Sequence, residues 1–80
     1  MPNQSNLAEE IGKRLEAMGY GEWAKRLDVA VAGGSTGTEI NMALGWTLRQ
    51  FLKTRPKIDA ETKALIKELK REISKALRWR

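Results

Sequence analysis

The side chains available for chemistry in this chain are hydroxyls, carboxylates, amines and guanidiniums, because its 80 residues include no histidine and no cysteine. That leaves no imidazole base, no thiolate nucleophile and no soft metal ligand, so a zinc site is not expected. The densest cluster of reactive types is Ala32-Gly33-Gly34-Ser35-Thr36-Gly37-Thr38-Glu39-Ile40, which holds three glycines and three hydroxyl residues. Successive backbone N–H groups ahead of a helix can form an anion nest, to which Ser35, Thr36 and Thr38 would add donors. A phosphate loop, however, needs G-x-x-x-x-G-K-[ST]. No lysine follows Gly37, no strand precedes Gly33, and the acidic Glu39 would repel a phosphate. The same residues fit a T-x-x-E capping box, in which the Thr36 hydroxyl and the Glu39 carboxylate each bond the other's backbone N–H. Helix capping is therefore favoured over ligand binding at this corner.

An enzyme would need a nucleophile with its base, a pair of tuned carboxylates, or a metal. The carboxylates here fall at helix starts or beside basic residues at helical spacing: Glu9 and Glu39 in caps, Glu68 near Arg71, Glu72 near Lys75. A chain this short also leaves little room for a pocket on the order of a few hundred Å³. The expectation is a non-enzymatic protein that takes no cofactor and no metal.

The elements that must carry these groups read as an all-α, four-helix domain spanning residues 1–80. Asn6 with Glu9 resembles a capping box, and Leu7, Ile11, Leu15 and Met18 recur at helical spacing until Gly19, which predicts helix 1 over about 7–18. Trp23, Leu27, Ala30 and Val31 predict helix 2 over about 22–32; Val29-Ala30-Val31 could form a strand but has no second strand to pair with. Thr36 opens helix 3 over about 37–53, with Ile40, Ala43, Leu44, Thr47, Leu48 and Phe51 on one face and Pro56 beyond its end. Asp59 is the natural N-cap of helix 4 over about 60–78. Its expected buried stripe is Leu65, Leu69, Ile73 and Ala76, flanked by Ile66 and Leu77, with Ile58 ahead of it as a staple. The linker is Thr54 to Ile58. The start MPNQSNLAEE has neither the basic region nor the apolar run of a signal peptide, and no run approaches the roughly 20 apolar residues that span a bilayer, so a cytoplasmic location is expected.

The net charge of +5 is divided unequally. Residues 1–40 hold four basic and six acidic side chains, net −2, and residues 41–80 hold eleven and four, net +7. The halves could attract each other, or one basic face could meet an acidic partner. On helix 4, Lys63, Lys67, Lys70, Arg71, Ser74 and Arg78 fall opposite Leu65, Leu69 and Ile73, forming a basic ridge with the acids displaced to its flank. A solvated helix face is the plain reading of such a ridge; an electrostatic footprint is the sharper one. On helix 3, Met42 and Trp46 lie off the main stripe beside Arg49 and Lys53. The favoured reading is that helix 3 is central and the pair is core; if it is not central, they have the composition of an interface anchor. A helix-turn-helix reading finds only Asn41 and Arg49 able to read bases.

The segment GSTGTEINMALGW resembles small uncharacterised bacterial helical proteins that carry a Gly-Ser-Thr-Gly-Thr-Glu-Ile corner leading into a Leu- and Trp-bearing helix. The resemblance covers less than a quarter of the chain, carries no activity with it, and implies a bacterial source and a corner that defines the fold. The favoured function is binding of an acidic protein partner, of inhibitor, immunity or adaptor type, through Lys63, Lys67, Lys70, Arg71, Arg78, Met42, Trp46 and Arg49. Nucleic-acid binding along the helix 4 ridge is the alternative, and a structural homodimer is a third reading. No membrane role is expected.

Overall fold

The computed structural model describes residues 4–34 and 36–77, with the side chains of Gln4 and Ser5 left out. Four helices follow one another: α1 (Gln4–Ala17), α2 (Gly21–Gly33), α3 (Gly37–Lys53) and α4 (Ala60–Leu77). Each packs on its neighbour in the chain, and α4 returns to lie against α1, closing a ring around one core. Leu7, Ile11, Leu15, Leu27, Leu44, Leu48, Phe51, Ile66, Leu69 and Ile73 fill that core. Among the described residues, no helix is long and apolar enough to cross a membrane.

Two connections are tight, for different reasons. Gly19 ends α1 with φ +92°, a left-handed backbone that suits glycine. Tyr20 then caps α2 through its carbonyl, which accepts from the Trp23 and Ala24 N–H groups at 3.0 and 3.1 Å. Its ring meets Phe51 edge-on with centroids 5.5 Å apart. Its hydroxyl accepts from the Lys57 N–H at 2.9 Å, fastening the α1–α2 turn to the α3–α4 loop. At the second corner, Thr36 adopts an extended backbone and its Oγ1 accepts from the Glu39 N–H at 3.2 Å, as the T-x-x-E spacing requires. A Cβ on Gly34 would collide with Cγ1 of Ile40 and lie 3.0 Å from the Ile40 nitrogen, so this corner turns back onto the first turn of α3.

Three sequence expectations need correction. Helix α1 already includes Gln4, the first described residue, ahead of the expected start near Asn6, because a polar run offers several starts. The buried stripe of α4 is Thr62, Ile66, Leu69 and Ile73, with Leu65 and Ala76 only half-buried and Leu77 exposed. The stripe is rotated because Thr62 is fully buried, its hydroxyl donating to Oδ1 of Asp59, the capping carboxylate. The expected shortage of pocket space also fails: open grooves of about 600 Å³ between α1 and α2 and about 680 Å³ between α2 and α3 run along the surface.

Candidate functional site

Helix α3 turns Leu44, Thr47, Leu48 and Phe51 inward, so residues half a turn away must face out. Met42 and Trp46 are accordingly 60% exposed, and Val29 of α2 is 61% exposed. The expectation that Met42 and Trp46 are core if α3 is central is thereby settled against the core. In a ring of four helices α3 has α2 on one side and α4 on the other, and its outer face is left uncovered.

The α2/α3 groove is built around these residues. Its lining consists of Val29, Ala30, Met42, Ala43, Trp46 and Thr47, with Glu22, Lys25 and Arg26 along the α2 rim. Arg26 is positioned by two contacts: its guanidinium lies 4.7 Å from the Trp23 ring centroid, and its Nη2 is 4.0 Å from Oε2 of Glu22. Trp23 packs in turn on Phe51, with centroids 5.5 Å apart, so the rim is tied to the core. Arg49 and Lys53 continue the outer stripe of α3 beyond Trp46, and both are exposed.

The orientation of α4 follows from its ion pair with α1. With the core side set by Thr62, Ile66, Leu69 and Ile73, steps of about 100° put Glu61, Glu68 and Glu72 on one flank and Lys63 and Lys70 on the other. Arg14 Nη1 lies 3.3 Å from Oε1 of Glu61 and Arg14 Nε lies 3.2 Å from Oε2 of Glu10, so the acidic flank turns toward α1. The hydrogen bond from Arg14 to Glu61 is also the main reason the Arg14 pKa is raised. The lysine flank therefore turns toward α3, where Gly45 lets Ile73 approach to 3.5 Å from a notional Cβ. Lys67, Arg71 and Ser74 point outward between the flanks, all exposed.

The two surfaces singled out in the sequence thus adjoin. A strip of Val29, Met42 and Trp46 runs beside Arg49, with Lys63 and Lys70 on the neighbouring helix and Lys67 and Arg71 farther round. Among the described residues, none of Arg49, Lys63, Lys67, Lys70 and Arg71 has a carboxylate within 4.0 Å, whereas Lys75 reaches Glu72 at 3.6 Å. Arg78 lies outside the described residues, as does Ser35 of the glycine corner. Asn41, one of the two base-reading candidates, is only 8% exposed and presents no edge to a groove. Sequence reasoning missed Val29, Lys25 and Arg26 as site residues. The signal lay in Val29 following Arg26 at i+3 on the side of α2 away from Leu27.

No protein-family model matches this chain, and neither a curated protein nor a solved structure shows detectable similarity to it.

Proposed function

We propose that this is a binding protein, not an enzyme, and that it engages an acidic protein partner through the face centred on α3. The observation carrying this reading is the exposure of Met42 and Trp46 at 60% each within a basic surround. Exposed large apolar side chains ringed by charge are characteristic of interface centres, and Trp, Met and Arg are the types enriched there. In this reading Trp46 and Met42 are the anchors, desolvated on binding. Arg49, Lys63, Lys67, Lys70 and Arg71 form the rim that steers an acidic partner to the face. An inhibitor, immunity or adaptor role would use a surface of this kind.

The test is affinity capture by the immobilised protein from nuclease-treated host extract, run in parallel with Trp46→Ala and with Lys67→Ala/Lys70→Ala. Both variants change exposed side chains, so they should fold as the parent does. The expected result is an acidic protein held by the parent, lost with Trp46→Ala and captured more weakly at moderate salt with the lysine pair. Capture of no acidic protein, or partner capture indifferent to both variants, would overturn the reading.

A further inference from the structure

Resting on that reading, we infer that the occupant of the α2/α3 groove is one amphipathic helix with apolar anchors along one face and acidic residues along its edges. The fold itself selects a helix over an extended peptide. A bound strand completes its backbone hydrogen bonds on an open sheet edge, and the described residues contain no strand. A segment whose apolar side is desolvated against helix surfaces must satisfy its own N–H and C=O groups, which a helix does.

The shape of the groove agrees. Along α2 it runs from Glu22 to Val29, seven steps of 1.5 Å or about 10 Å, which is two turns of a docked helix. Ala30 and Ala43 keep the floor low while Val29, Met42 and Trp46 form its walls, a profile that accepts side chains at i, i+3 or i+4, and i+7. Charge then chooses the sequence type. Lys25 and Arg26 line the α2 rim, and Arg49 and Lys53 extend the α3 side. The one acid in the lining, Glu22, faces Arg26 at 4.0 Å. Glutamates and aspartates on the edges of the docked helix would meet cations on both sides. A second copy fits poorly, since a two-fold contact sets the same cations against themselves on chains of net charge +5.

The experiment is a two-dimensional ¹H–¹⁵N titration of the full chain with three synthetic peptides of equal length. The first is Glu-rich with leucines at i, i+4, i+7 and i+11; the second has the same composition with the leucines scrambled; the third replaces each Glu with Lys. The first peptide is expected to bind in the micromolar range, to become helical, and to shift the amides of Val29, Ala30, Met42 and Ala43 and the Trp46 indole. Trp46→Ala should weaken it by about tenfold or more, while Lys67→Ala/Arg71→Ala should weaken it by about threefold or less. No binding by the first peptide, or equal binding by the scrambled one, overturns the proposal. Binding whose shifts map to the α4 lysines, with Trp46→Ala silent, overturns the helix in the groove and leaves an acidic partner standing. Equal binding by the Lys-rich peptide overturns both. A free protein that sediments as a dimer, with the Trp46 indole already protected, assigns the groove to a second copy and overturns the proposal as well.

Discussion

The Asp59 carboxylate is held below the usual carboxylate range, first by the Thr62 hydroxyl and then by the Asp59 and Thr62 backbone N–H groups, with Arg14 adding attraction and burial opposing. These are the bonds of an N-cap, and they give α4 a pH dependence with a definite sign. A carboxylate whose pKa is lower folded than unfolded stabilises the fold above its unfolded pKa of about 3.9, and that stability is lost as pH falls through the lower folded value. Asp59→Asn should therefore reduce the urea midpoint at pH 7, and its deficit against the parent should shrink progressively below about pH 4. A deficit equal at pH 7 and pH 2 would mean that the cap acts only through neutral hydrogen bonds. Asp59 was legible as a cap from its place before an apolar period. Thr62 was not, because a hydroxyl counts as surface until its acceptor is known, and omitting it turned the expected stripe of α4 toward Leu65 and Ala76.

At the scale of elements, the corner between α2 and α3 sets the groove, because it fixes how those helices diverge from Gly33 onward. Thr36→Ala removes the hydroxyl that accepts from Glu39 N–H and should lower stability by about 1 kcal/mol. Gly34→Ala should cost more, about 1–3 kcal/mol, because its methyl meets the Ile40 side chain and backbone together. Thermal denaturation of both variants checks the order; a harmless Gly34→Ala would show that the corner can open. The corner was readable in advance because capping is local: four residues and their spacing determine it. The exposure of Met42 and Trp46 was not, since a helical wheel places them opposite the core without saying whether another element covers them. Only the ring order, with α3 between α2 and α4, answers that. Lys25 and Arg26 escaped notice for the same reason, their role arising from what lies across the groove.

Over the whole molecule, the unequal charge of the two halves does not act through ion pairs between them: the pair that crosses the α1/α4 contact joins Arg14, a cation of the acidic half, to Glu61, an acid of the basic half. Lys63, Lys67, Lys70 and Arg71 of α4 lie on the other flank and outward, with no carboxylate within 4.0 Å among the described residues, so the basic surplus faces solvent beside the apolar strip. Our account assigns that face to a protein, with Trp46 as anchor and the lysines as rim, and the lysines alone would equally serve a polyanion. Fluorescence-anisotropy titration of random duplex DNA at several salt concentrations, with the parent, Trp46→Ala and Lys67→Ala/Arg71→Ala, separates the two most directly. The account predicts no saturable binding at about 150 mM salt, and at lower salt only weak binding that Trp46→Ala leaves unchanged. Saturable binding at about 150 mM salt would contradict it, if log affinity fell with log salt at about −0.9 per phosphate contact and the double variant reduced that slope by about two contacts' worth.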